Sequence, residues 1–506
     1  MRILKKATAK YHQTGAALLL FFMIIILTGL TFILAVLPDN LKLKQQNQTT
    51  FALAKAKQAL ISYAIGLNYR SNLTTGLASS GWHGYLPCPE TTSGSEGSQD
   101  SNCNAIGVSA LGRLPWQTLS LDPLKDSSGQ CLWYAVSAAF KFGPKQLHNA
   151  DSLGMFDIYD TQQNKLNSDL PEDRIVAIVF APGKELTGQN RGNQNPVYPC
   201  GYPNDQVEAL NYLDIIDAIN NSEISASINQ VESFAGLNTT QELTTFNDRI
   251  ITITRSEIFN AINSRTKNSQ VSSAIRVNAL NEQLQDLGSA LAQCLIDYAG
   301  NTSNRFPWPA RIDLSNNSTS DDYSNNNNYT AQFNSANGYL GRLPVIINNA
   351  DPLLMNHCTS PLSQSRRRLW NDWKDHFFLV IGADYTSESS ASTPSCTSTS
   401  CPTLGGVEYA ALIIFANTAI TDSTLTQLRR DSDIEPLTQL STDLKDSIAN
   451  YLEGVNATNY GSNSLGSYNL TVGNDIFIGI DINMNITCFN LNTQTVDSAC
   501  PTLYQN

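Results

Sequence analysis

The chain predicts an α+β architecture in which a long N-terminal helix, membrane half first and amphipathic half second, precedes two tandem heads, each a helix packed on a mostly antiparallel sheet. Three observations carry this expectation. An uncharged apolar run opens the chain, an internal repeat divides the rest, and within each repeat a helical pattern is followed by short apolar strands.

The opening run comes first in order. Residues 1–15 carry Arg2, Lys5, Lys6 and Lys10 and no acid, and Ala16 to Leu37 then gives 22 residues without a charge. At 1.5 Å per residue such a helix is about 33 Å long, against a hydrocarbon core of about 30 Å. The basic flank predicts a cytoplasmic leader. Leu34-Ala35-Val36-Leu37-Pro38 matches a secretory cleavage site poorly. Pro38 interrupts the pattern, and from Leu41 the spacing of Leu53, Leu60, Ile61, Ala64 and Leu67 predicts an amphipathic helix over 41–69.

The repeat has an offset of about 230 residues. Gln58-Ala59-Leu60-Ile61-Ser62-Tyr63-Ala64 matches Gln293-Cys294-Leu295-Ile296-Asp297-Tyr298-Ala299, and Leu86-Pro87-Cys88-Pro89 matches Phe306-Pro307-Trp308-Pro309. Leu111-Gly112-Arg113-Leu114-Pro115 recurs as Leu340-Gly341-Arg342-Leu343-Pro344, with Asp122 and Asp351 at identical spacing beyond. Ile175 to Ala181 matches the run ending Phe415-Ala416, Asn211-Tyr212-Leu213-Asp214 matches Asn450-Tyr451-Leu452-Glu453, and Asn247-Asp248 matches Asn474-Asp475. The second copy opens on its own leucine stripe, Leu280, Leu284, Leu287, Leu291 and Leu295. Segments 131–136, 175–180, 250–254, 377–381, 411–415 and 476–480 read as strands, apolar enough to be central. The expected division is a leader at 1–15, a transmembrane helix at 16–37, a first head at 38–268 and a second, duplicated head at 269–506.

Composition narrows the function classes. Charged residues are only 15% of the 506, and the net charge of −12 repels phosphate backbones, so no nucleic-acid partner is expected. Ten cysteines form no C-x-x-C pair or zinc-spaced cluster, and disulfides are expected: Cys88–Cys103, Cys131–Cys200, Cys396–Cys401 and Cys488–Cys500. Five histidines form no metal motif, and no nucleophile elbow or phosphate loop occurs. Catalytic, cofactor and metal residues are therefore expected to be absent. The repeated Gly112, Arg113, Pro115, Asp122 and Gly341, Arg342, Pro344, Asp351 admit a ligand-binding ion pair or a turn whose Arg fixes a loop. Presence in both copies favours the turn. Arg366-Arg367-Arg368 reads as a solvated loop.

Gln13-Thr14-Gly15-Ala16-Ala17-Leu18, a basic leader and glycine before an apolar helix, resembles a type IV prepilin. The likeness is to minor pilins and type II secretion pseudopilins. It implies cleavage after Gly15 by a prepilin peptidase, methylation of Ala16, and partnership with the membrane and other pilin-like subunits. It implies a bacterial inner-membrane location with the bulk in the periplasm, reaching a surface filament after assembly, and a non-catalytic role in filament or secretion assembly or in adhesion to an unnamed surface ligand. The alternative is a single-pass anchored binding protein outside any filament. The usual Glu at mature position five is Leu20 here, which argues against a major subunit.

Overall fold

A computed structural model describes residues 21–26, 44–65, 84–91, 96–100, 103, 107–141, 148–191, 200, 209–227, 230–237, 245–264, 280–309, 339–344, 364–387, 389–420, 427, 429, 447–461, 465–470, 474–489, 496–497 and 500.

The N-terminal expectation is corrected first. Among the described residues no helix is long and apolar enough to cross a membrane. Of the expected span 16–37, residues 21–26 are described and are helical. The first long helix, α1 at 44–65, contains Lys55 and Lys57 and buries one stripe, Ala52, Leu53, Ala56, Leu60 and Ala64. A helix that is apolar on one face only lies on a sheet rather than in lipid. The expected continuous stem with a membrane half, and the single-pass inner-membrane location built on it, are therefore not supported.

Against the expected mostly antiparallel heads, the six-stranded sheet of the first half and the small three-stranded sheet of the second are mixed, each with one parallel pair, while the main sheet of the second half is antiparallel. In the first half, β1 (Ala110–Arg113), β2 (Trp133–Val136), β3 (Phe156–Tyr159) and β4 (Ile175–Ala181) are followed by α2 (Ala209–Tyr212), the hairpin of β5 (Ile215–Ile216) and β6 (Ile219–Asn220), β7 (Glu232–Ala235), β8 (Arg249–Thr254) and α3 (Arg255–Ser264). The strand order is β1-β2-β4-β3-β7, with β8 also on β4. In the second half, α4 (Leu280–Asn301) precedes β9 (Leu340–Arg342), α5 (Gln364–Trp373), β10 (Phe377–Ile381), β11 (Thr403–Leu404), β12 (Val407–Glu408), β13 (Ala411–Phe415), α6 (Gly454–Gly461), β14 (Ser467–Tyr468), β15 (Ile476–Ile480), β16 (Ile486–Phe489) and β17 (Val496–Asp497). Its main sheet runs β17-β16-β15-β13-β10-β9.

The path β1-β2-β4-β8 thus has the same order as β9-β10-β13-β15. The parallel pair β3–β7 has a counterpart in β11–β14. Matched motifs take matched places: Leu86 N–H donates to the Phe140 carbonyl and Phe306 N–H to the Tyr385 carbonyl, at 2.7 and 2.8 Å.

Strand periodicity builds the core. Phe377, Leu379 and Ile381 face a large apolar cluster, while Phe378 and Val380 face a smaller one on the other side. Both faces are covered, so β4, β10 and β13 are buried at every position. The large cluster is continuous between the halves. It takes in the α1 stripe, the five leucines of α4, and residues of both sheets. Gly288 lets α4 approach β15, since a Cβ there would stand 2.5 Å from the Ile478 Cδ1. Each fully buried leucine contributes about 1.5–3 kcal/mol.

Cys88–Cys103, Cys131–Cys200, Cys396–Cys401 and Cys488–Cys500 are disulfides, and Cys294 is bonded as well. Cys131–Cys200 closes a 69-residue separation and Cys396–Cys401 one of 5. Loop entropy assigns about 4 kcal/mol to the first and about 2 kcal/mol to the second. Replacing each pair by serines and comparing urea midpoints should reproduce that order, and equal losses would contradict the entropic account.

The basic run at 366–368 lies on α5 rather than in a solvated loop. Arg366 grips the buried Asp286 of α4 through Nε and Nη2, both at 2.8 Å.

Candidate functional site: a twinned buried polar cluster

The Leu-Gly-Arg-Leu-Pro repeat forms β1 and β9, so its arginines enter the sheet rather than a surface loop. Gly112 is required there, because a Cβ would lie 2.3 Å from the Glu90 carbonyl oxygen. Register places Arg113 beside Trp133 and Arg342 beside Phe378. The Arg113 guanidinium lies 5.7 Å from the Trp133 ring and 5.5 Å from Tyr212, and Arg342 lies 5.3 Å from Phe378 and 4.9 Å from Tyr451. These are cation–π distances. Pro115 and Pro344 are buried beside them.

A second arginine closes each tyrosine from another side. Arg191 lies 5.1 Å from Tyr212, and Arg429 lies 4.9 Å from Tyr451. Both come from loops that follow β4 and β13. Both donate to the same partners. Nη2 reaches the side-chain oxygen of the glutamine two residues earlier (Gln189 at 2.8 Å, Gln427 at 2.9 Å) and the tyrosine carbonyl at 3.3 and 3.0 Å. Nε donates to the carbonyl of Asn211 or Asn450.

Each glutamine then donates onward to a carboxylate, Gln189 to Asp214 at 2.8 Å and Gln427 to Glu453 at 3.1 Å. That acid faces a second one at the start of β8 or β15. Asp214 and Asp248 exchange backbone bonds, Asp214 N–H to Asp248 Oδ2 at 2.8 Å and Asp248 N–H to Asp214 Oδ2 at 3.0 Å. Asn221 donates to Asp248, and Asn456 to Asp475. In the second half Glu453 stands close enough to Asp475 for its charge to oppose ionisation there. Burial raises all four acids. Asp248 and Asp475 are pushed furthest, by burial and then by the charge of the neighbouring acid. In each pair, burial disfavours the charged form of both acids.

Such a pair has the parts of an acid–base centre, but it is walled in. Asp214 and Glu453 are 3% exposed and Asp248 is 0%. The 380 Å³ cavity of the first half is lined by other residues. The chemistry the cluster performs is cross-linking. It ties the loop after the central strand, the Asn-Tyr-Leu-acid turn and the start of the next strand into one unit.

A different polar group joins the halves. The His376 Nε2 lies 2.8 Å from Asp151 Oδ2, and its Nδ1 lies 2.6 Å from the Ala416 carbonyl. Both ring nitrogens face oxygens. Asn149 donates to the Asp372 carbonyl at 2.9 Å and to Asp375 Oδ1 at 3.1 Å, and His148 N–H donates to Asp372. Burial opposes the charge on Asp151, yet His376 and Arg429 pull its pKa down to about 2.

Of the two readings of the repeated arginine, an ion pair with Asp122 does not form: Asp122 is exposed while Arg113 is buried, and the acid facing Arg113 is Glu90. Burial lifts Glu90 to about 7 against the pull of the Gly97 amide and Arg113. Asp351, Gly15 and Ala16 lie outside the described residues. Gly341 is buried in β9. Among the described residues no group of three or more His, Cys, Asp or Glu side chains is placed to hold a metal ion. Sequence reasoning had missed Gln189, Arg191, Gln427 and Arg429. The shared Gln-x-Arg ahead of Asn-Tyr-Leu-acid was the signal that could have found them.

Arg191→Lys and Arg429→Lys should each cost about 1–3 kcal/mol in urea unfolding, because an ammonium cannot reproduce the planar fork that links three or more oxygens. A loss under half a kcal/mol would remove the cross-linking role.

No protein-family model, curated protein or solved structure matches the chain.

Proposed function

We propose that the chain is a non-catalytic, pilin-like subunit that works outside the reducing cytoplasm, used in filament or secretion assembly or in surface adhesion. The observation that carries this reading is the twinned lock. In both halves a matching set of buried acids and arginines makes the same internal cross-links, which favours a rigid body over an open reaction centre. The disulfides fit an oxidising compartment. The amphipathic helices α1 and α4 lie against sheets, and the leader sequence around Gly15 and Ala16 supplies the pilin likeness.

The test is the mass of the mature N-terminus from native cells, together with the sheared surface fraction. The reading expects a chain beginning at methylated Ala16, with other pilin-like subunits and the prepilin peptidase as its partners. A chain that keeps Met1 overturns it and favours a binding protein outside any filament.

A further inference from the structure

The two halves differ at one edge. In the second half the chain turns after β15 at 481–485 and returns as β16, which pairs antiparallel along it, Ile478 with Cys488, Gly479 with Thr487 and Ile480 with Ile486. In the first half the chain leaves β8 directly into α3. Counting from the partners of Phe180 and Phe415, Thr252 stands where Ile478 stands. Among the described residues no strand pairs with β8 except β4. The nearest backbone link, from Leu237 N–H to the Asp248 carbonyl, comes before the strand begins.

Beside this edge lies the cavity of about 380 Å³. It is bordered by Ile250, Ile251 and Thr252 of β8 and walled by Ile158, Leu166 and Leu237. No charged side chain lines it. An open strand edge offers a row of main-chain donors and acceptors, and proteins ordinarily blunt such edges with charge, proline or a cover. Residues 250–254 of β8 carry neither charge nor proline.

We propose that the outer edge of β8 is a strand-addition site for a partner protein's extended segment, uncharged and apolar at alternate positions, running antiparallel to Ile250–Thr254 as β16 runs along β15. Main-chain bonds supply the affinity, and the cavity takes one of the alternate side chains. The occupant's chemistry follows from the internal precedent: β16 reads Ile-Thr-Cys-Phe, with no charge. The proposal does not depend on the filament reading. A chain that keeps Met1 would retain the same open edge.

The probe is a synthetic peptide of residues 484–490 with Cys488→Ser, capped at both ends and added to the oxidised full-length chain. Saturable binding by fluorescence anisotropy is expected, with slowed amide exchange at 250–254. An analogue N-methylated at alternate amides should bind about tenfold more weakly, since it keeps the side chains and loses main-chain donors. Thr252→Lys should weaken binding similarly while leaving the circular dichroism unchanged; if that variant misfolds, the N-methylated peptide still decides. The proposal is overturned if the N-methylated peptide binds equally well. It is also overturned if 250–254 amides in the free chain are already as protected as 476–480, or if sedimentation shows a dimer that Thr252→Lys dissociates, which would make a second copy the occupant.

Discussion

Asp151→Ala should cost about 3–5 kcal/mol of unfolding free energy, the largest single-residue loss expected outside the apolar core. The reason is what it leaves behind. His376 is 0% exposed, and without the carboxylate its Nε2 faces no acceptor in a space water does not reach. The neighbouring charges, Asp375 at 3.9 Å and Arg429 at 3.5 Å from the ring, do not replace that bond. The measurement is urea unfolding of the oxidised chain, followed by probes in each half. Because Asp151 and His376 belong to different halves of the chain, the variant should also separate the two halves' transitions. Asp151→Leu combined with His376→Phe should recover much of the loss, since removing both polar partners is far cheaper than orphaning one. A single-variant loss below 1 kcal/mol would mean that the halves are held by apolar contact alone.

Stability should fall as pH rises from about 5 to about 8, and Asp475→Asn should remove a large part of that fall. The folded chain holds Asp214, Asp248, Glu453 and Asp475 above their ordinary range because they are buried in pairs. The unfolded chain releases those protons near pH 4. Over the interval between, the folded state binds more protons, so each pair's contribution is complete below the unfolded value and is lost as pH rises through the folded one. Asp151 has the opposite sign. Its depressed pKa stabilises the fold above the unfolded value, and that contribution disappears as pH falls towards 2. A carboxamide at 475 keeps the size of the carboxyl group and carries no charge at any pH, so it removes the buried charge that appears as pH rises. The variant should therefore match the parent within about 1 kcal/mol at pH 5 and exceed it at pH 8. Asp248→Asn should act likewise in the first half. Unfolding midpoints at the two pH values decide the matter, and a parent that gains stability between pH 5 and 8 would show that the pairs are ionised.

The twinned cluster shows how far a single sequence can be read. Repetition marks residues whose side chains are held in the same geometry twice, so Arg113, Arg342, Tyr212, Tyr451, Asp248 and Asp475 were visible before any coordinates. Their partners were not. Gln189 and Arg191 sit in a stretch where the two halves differ in length and neighbours, which hides a two-residue match.

Local order by itself determined the strands and the stripes. Apolar residues at every position of 377–381 and 411–415 leave no solvent-facing side, and leucines three and four apart from Leu280 to Leu295 leave only one buried face. Tertiary structure alone decided what those elements meet. It put Asp122 in solvent and Glu90 beside Arg113, joined Asp151 to His376 across the halves, and covered β15 with β16 while, among the described residues, pairing β8 with β4 alone. The physical reason is range. Periodicity is written by neighbours a few residues apart, whereas a buried ion pair or a strand edge is settled by residues hundreds apart, whose meeting depends on how whole sheets pack. The spanning helix expected from the 22 uncharged residues is likewise unsupported: among the described residues no helix is long and apolar enough to cross a membrane.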